Sequence, residues 1–303
     1  MAKYIDIFTD FGFKKIFGEE ANKNFLIDFL NALLPTSTLI KDLTFRNNEQ
    51  LPVTIEERRA VYDIYCENEK GEKFIVELQK AKQNYFIERT IYYSTFPISG
   101  QAIKGEWDYN LKAVYCIGLL DFKFSDYADE KEQGEVVHTH TIKNQHNRQV
   151  YDKLTYIYLE MPNFNKKENE LVTRLDQWLY FIKNLETFQS IPEIFKNQVV
   201  FIEAIEKAEL SKMSEEAQAA YFAGLKAYRD NISKIKTAKQ EGIEEGIEIG
   251  EANKEKYADE KAKEKQIEMA KKCLKKGMTI LDIADLTGLT VDEIRNISML
   301  QLP

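Results

Sequence analysis

The tightest constraint on how this chain can fold is a pair of short apolar runs that carry acids. The first reads Val61-Tyr62-Asp63-Ile64-Tyr65-Cys66 and the second Phe74-Ile75-Val76-Glu77-Leu78-Gln79, with the polar, glycine-containing stretch 67–73 between them. Largely apolar, β-branched runs on either side of such a stretch predict two antiparallel strands joined by a short loop. A hairpin folded about Lys70 sets Asp63 opposite Glu77, and the period of two along a strand puts Gln79 on the same face. Two carboxylates and an amide then converge on an otherwise apolar sheet. Carboxylates so placed repel each other and are costly to bury unless a cation lies between them. The arrangement reads as a metal site.

Composition places that hairpin in a folded chain. The 303 residues allow one large domain or two smaller ones, and 44% hydrophobic with 12% aromatic content supports a packed core. No apolar run approaches the roughly 18 residues of a membrane span, and the start Met1-Ala2-Lys3-Tyr4-Ile5-Asp6 lacks a signal-peptide apolar region, so a cytoplasmic location with no membrane partner is expected. Cys66, Cys116 and Cys273 are widely spaced, and the first two lie in apolar runs as reduced core residues. A formal charge of −8 argues against a broad nucleic-acid-binding surface and leaves room for a local basic groove.

Residues 1–210 read as one α/β domain. Thr9-Asp10 opens a capped helical turn through Phe17, and 22–34 is an amphipathic helix ended by Pro35. A strand is expected at 39–45, then a polar loop, the hairpin, a long helix over 84–104 broken or kinked at Pro97, and buried strands at 111–120 and 153–161. Helices at 167–184 and 192–209 close the domain. His138 and His140 fall in a charged segment read as a loop, without further ligands at zinc spacing, and are assigned no metal.

The segment 10–121 resembles the Rpn-type recombination-promoting nucleases, grouped with transposases, of the PD-(D/E)xK nuclease superfamily. The residues that carry the likeness are Asp10-Phe11-Gly12-Phe13-Lys14-Lys15-Ile16-Phe17, Leu26-Ile27-Asp28-Phe29-Leu30-Asn31, Tyr62-Asp63-Ile64, Val76-Glu77-Leu78-Gln79 and Glu88-Arg89-Thr90-Ile91-Tyr92-Tyr93. Their order and spacing agree together with a restriction-endonuclease-like αβββαβ core. Against the wider superfamily, Tyr62 stands where a proline precedes the first acid and Gln79 where a lysine is usual; the Glu-x-Gln form is that of the Rpn-like branch.

The resemblance implies a Mg²⁺-dependent endodeoxyribonuclease (Mn²⁺ or Ca²⁺ could occupy the same oxygens), with Asp63, Glu77 and Gln79 as catalytic residues and DNA as partner. Asp63 and Glu77 would bind the ion, with the Leu78 carbonyl as a further ligand and Asp10 as an additional acid. Gln79 could orient a water through its amide but brings no charge. Arg89, Lys14 and Lys15 are candidates for DNA phosphate. Each has a plainer alternative: Asp10 or Thr9 as a helix cap, Arg89 as a partner of Glu88, Tyr92 and Tyr93 as core. A nuclease scaffold without catalysis, acting as a DNA-binding or regulatory protein, is the competing function, and an RNA nuclease would use the same chemistry.

Beyond residue 210 the chain turns helical and charged. Residues 211–265 form a helical linker with glycine every fourth position (Gly242, Gly246, Gly250), suited to close helix approach and to a homo-oligomer built through the C-terminal helices. Residues 266–303 form a small module resembling a helix-turn-helix. Met269, Ala270, Cys273 and Leu274 make its first apolar helix, and Thr279, Gly288 and Thr290 punctuate two shorter ones. Asp292 and Glu293 open the last helix where a base-reading helix would present polar or basic groups, which favours packing or oligomerisation over DNA reading.

Overall fold

A computed structural model describes residues 2–50, 60–103, 105, 107–124 and 134–299. At its centre the hairpin forms in the expected register: β4 (Ile64–Asn68) and β5 (Lys73–Gln79) run antiparallel with Ile64 paired to Val76, Tyr65 to Ile75 and Cys66 to Phe74. One step further along that ladder brings Asp63 against Glu77. Asn68 builds the turn, its side-chain oxygen accepting from the backbone N–H of Lys70 (3.0 Å) and Glu72 (2.9 Å). Gly71 sits at φ +79°, a left-handed conformation that a side chain would strain.

The hairpin belongs to a six-stranded mixed sheet that also contains β1 (Leu43–Phe45), β6 (Val114–Leu120), β7 (Val137–Lys143) and β8 (Gln149–Glu160), in the order β1-β4-β5-β6-β8-β7. β5 pairs parallel with β6, and β6 parallel with β8. A separate two-residue ladder joins β2 (Glu49–Gln50) to β3 (Ala60–Val61). The all-buried β6 is the continuous apolar strand expected of a parallel pair covered on both faces. On one face Ile64, Phe74, Val76, Ile117 and Leu159 pack with α1 (Asp10–Phe17), α2 (Lys23–Leu33), α4 (Arg174–Asn184) and α5 (Val199–Lys207). On the other, Tyr65, Ile75 and Cys116 meet Tyr93 and Phe96 of α3 (Phe86–Ser99). The fold is α/β with a mostly helical C-terminal region, as the sequence led us to expect.

Several boundaries differ from that expectation for identifiable reasons. The strand at 39–45 shrinks to Leu43–Phe45 because the Asn31 side chain holds both backbone groups of Ile40, at 2.8 and 2.9 Å. Helix α4 begins only at Arg174, where Thr173 and Asp176 form a capping box. Pro97 lies in the last turn of α3, which ends two residues later at Ser99. His138 and His140 are not in a loop. They lie in β7, which pairs with β8, and the buried His138 places Nε2 3.1 Å from the Glu135 carbonyl and 3.9 Å from Glu160.

The chain divides into two compact units, Met1–Tyr228 and Arg229–Pro303. Helix α6 (Glu215–Lys275) starts in the first, where Tyr221 and Leu225 join the core. In the second unit Ala270 and Cys273 of α6 pack on Ile283 of α7 (Ile280–Thr287), on Leu289, and on Ile294 and Ile297 of α8 (Val291–Met299). Met269, expected in that apolar stripe, is instead 48% exposed. Thr279 caps α7, Gly288 ends it at φ +70°, and Glu293 joins Lys263 at 2.9 Å. A Cβ on Gly242, Gly246 or Gly250 would meet nothing within 4 Å.

Gly118 of β6 pairs with both Glu77 and Tyr158. A Cβ there would lie 3.1 Å from the Tyr158 ring and 3.3 Å from the Leu120 side chain, with Phe86 of α3 in ordinary contact at 3.5 Å. Gly118→Val is therefore expected to lower stability by about 1–3 kcal/mol through overpacking against Tyr158 and Leu120 beneath α3. Urea unfolding checks this, and an unchanged midpoint would show that these side chains give way freely.

Candidate active site

The sequence read 61–66 as one strand, but the run is interrupted at the acid. β3 ends at Val61 and β4 starts at Ile64, so Tyr62 and Asp63 form a bend. Asn48 bridges it: its carbonyl accepts from Tyr62 N–H (3.0 Å), while its side chain donates to the Asp63 carbonyl (2.9 Å) and accepts from Tyr65 N–H (3.3 Å). The bend turns the Asp63 N–H toward Glu77 Oε1, at 3.2 Å, and the Leu78 N–H donates to Asp63 Oδ2 at 2.8 Å. Each carboxylate is thus held by a backbone N–H of the opposite strand.

Both acids are partly buried, and burial raises both carboxyl pKa values. Glu77 is pushed up to about 8, by burial first and then by the neighbouring Asp63 charge. Asp63 rises by burial, against the pull of the Leu78 N–H and of Lys14. Cations reach the pair from both faces of the sheet. From α1, Lys14 Nζ lies 4.0 Å from Asp63 Oδ1 and 2.8 Å from Asp10 Oδ1. Burial disfavours the Lys14 charge, yet Asp10, Asp63 and Glu77 together outweigh it and raise its pKa. From α3, Arg89 also lowers the cost of charge on both acids.

The remaining candidates divide. Gln79 is buried, at 8% exposure, and its amide is engaged at both ends. Its Oε1 accepts from Arg89 Nη2 and its Nε2 donates to the Ala81 carbonyl at 2.9 Å. Asp10 is an exposed residue of the first turn of α1; Thr9 supplies the cap, and Asp10 pairs with Lys14. Lys15 turns to Glu19 at 2.9 Å, away from the acids. A group the sequence reading passed over is Lys80, next to Gln79. It lies over the Tyr228 ring at 4.1 Å, with its pKa lowered by burial against the pull of Asp6, Asp10, Asp63 and Asp121. Its only sequence signal was that adjacency, since Tyr228 comes from the far end of the unit.

A family model described as PD-(D/E)XK nuclease family transposase matches residues 7–238. The chain belongs to that family. Comparison with curated proteins and with solved structures gives no match. Membership makes the function nuclease- or transposase-related, and nucleases of this superfamily generally use divalent metal ions. No helix among the described residues is long and apolar enough to cross a membrane. Among the same residues no group of three or more His, Cys, Asp or Glu converges as a metal cage. The Asp63–Glu77 pair still fits a hard cation, because its donors are oxygens and such an ion keeps several waters rather than requiring an all-protein shell.

The raised Glu77 pKa has a consequence for the metal-free protein. In the folded state Glu77 keeps its proton up to about pH 8, whereas the unfolded chain loses it near the ordinary value of 4.5. Between those values the native state binds more protons, so stability is full below pH 4.5 and falls as pH rises through 8. Melting of EDTA-treated protein should drop by several °C across that window and recover on adding Mg²⁺. Glu77→Gln should flatten the profile; an equal slope in that variant would place the titrating group elsewhere.

Proposed function

We propose that this protein is a metal-dependent DNA endonuclease that hydrolyses phosphodiester bonds, acting in recombination, mobile-DNA movement or defence against phage. The observation that carries the reading is the Asp63–Glu77 pair, set at one register point of the hairpin in a chain of this family. Two carboxylates held against each other and raised in pKa form a site whose charge a divalent cation would relieve.

In this reading Asp63 and Glu77 would hold Mg²⁺ through their free oxygens. Leu78 directs its N–H at Asp63, and along a strand a residue's carbonyl lies on the same side as its N–H, so the Leu78 carbonyl would be the further protein ligand. When bound, the ion supplies positive charge to the scissile phosphate and makes a water nucleophilic at neutral pH. Glu77 gives up its proton on loading, so affinity rises with pH. Lys14, beside Asp63, meets the phosphate backbone from the α1 side. Asp10 holds that ammonium, which makes it a support for Lys14 rather than a ligand.

Plasmid nicking by the purified chain with Mg²⁺, Mn²⁺ or EDTA tests the proposal. Cleavage should require the divalent ion and fall on the order of 10²–10³-fold in Asp63→Ala and Glu77→Ala. Cleavage that persists in both variants would move the site off the hairpin. DNA retained in a gel shift without cleavage by the wild type would instead support the non-catalytic DNA-binding reading, and cleavage of RNA alone would reassign the substrate.

A further inference from the structure

Gln79 occupies the superfamily's lysine position, and its surroundings show what a neutral amide does there. Its orientation follows from its partners' chemistry: a guanidinium only donates, so Oε1 faces Arg89, and a carbonyl only accepts, so Nε2 faces Ala81. With 8% exposure and a protein partner at each end, this amide is poorly placed to hold a water. What it grips is more informative.

Arg89 is fixed from several directions. Nη1 donates to Gln83 at 2.7 Å, Nη2 to Gln79, and the guanidinium lies 5.3 Å from the Phe86 ring centre and 5.8 Å from that of Tyr93. Tyr85, at φ +62°, opens α3, and its carbonyl accepts from the Arg89 N–H at 2.9 Å. That turn sets Arg89 above the end of β5. Enclosed Nε–H has no hydrogen-bond partner among the described residues. Its enclosed position keeps the Nε–H from an incoming ligand, but each Nη carries two protons and the two amides take one apiece, which leaves the others for a phosphate oxygen.

We propose that Gln79 is a positioning residue that tethers Arg89, and that Arg89 is the catalytic cation that contacts the scissile phosphodiester. The inference rests on the nuclease reading and deepens it. The positive charge that the strand does not carry at position 79 arrives from α3, aimed by the strand's glutamine. A lysine at 79 would set an ammonium against the guanidinium and expel it.

A double-mutant cycle with Gln79→Ala, Arg89→Ala and the double variant tests the tether in two readouts. The first is anisotropy of a labelled DNA duplex in EDTA, over a salt series; the second is kcat and KM for Mg²⁺-dependent cleavage, and melting curves select folded variants. Each single variant should weaken binding and lower the salt slope by about one phosphate. Each should lower kcat more than it raises KM, on the order of 10²-fold for Arg89→Ala. The double variant should be no worse than Arg89→Ala, and Gln79→Lys should cleave at least tenfold more slowly than wild type. Additive losses, unchanged DNA affinity in Gln79→Ala, or a Gln79→Lys variant as fast as wild type would overturn the tether. A wild type that binds DNA without cutting defeats the nuclease reading, while the binding cycle still decides the tether. A wild type that neither binds nor cuts overturns both.

Discussion

Two carboxyl groups set against each other at the end of an apolar hairpin are the constraint on which the surroundings of the site depend. Fully ionised, the Asp63–Glu77 pair would oppose folding of its own hairpin, as the raised carboxyl pKa values record. Three provisions offset it. Crossed backbone N–H donors hold each acid from the opposite strand, and Lys14 and Arg89 bring positive charge from opposite faces. The interior of the sheet then supplies the rigidity that keeps the pair from separating, because β5 is hydrogen-bonded on both edges and covered on both faces. Such a site is unstable to charge and stable to geometry, the combination needed for a cation to bind at a fixed place.

What the sequence revealed, and what it hid, follows from the range of the forces involved. The hairpin register was legible because it depends on a local turn and a period of two, so the polar stretch around Lys70 was enough to bring Asp63 to Glu77. The bend at Tyr62 was not legible. It depends on Asn48, which lies in a polar segment whose composition announces only a loop. His138 was misplaced for the opposite reason: its neighbours are charged because β7 is an edge strand with one face to solvent, and charge was taken for loop. Contacts between side chains distant in sequence, such as Lys80 with Tyr228, leave no pattern in either segment.

Within the site the same rule sorts the candidates. Asp63 and Glu77 were placed by periodicity, and they do come together. Lys14 and Lys15 are adjacent on one helix and looked equivalent, yet successive residues of a helix point about 100° apart. Lys14 therefore reaches the acids and Lys15 meets Glu19. The difference is set by how α1 packs on the sheet through Phe13, Ile16 and Phe17, which only tertiary structure decides.

The chain's two departures from the wider superfamily pattern, Tyr62 and Gln79, have a common logic. A proline before the first acid would fix the backbone but could not donate an N–H; Tyr62 donates its N–H to Asn48 and its hydroxyl to the Tyr93 carbonyl of α3, at 3.0 and 2.9 Å. Rigidity that one ring would supply is thereby divided between a loop residue and a helix. Gln79 likewise exchanges a single charged side chain for an amide that grips Arg89 of the same helix. Both residues tie the hairpin to α3, so that the helix and the strand end that carries the two acids are held together. The two ties differ in kind: Gln79 and Arg89 meet side chain to side chain, whereas at position 62 any residue other than proline keeps the N–H bond to the Asn48 carbonyl and loses only the hydroxyl bond to α3.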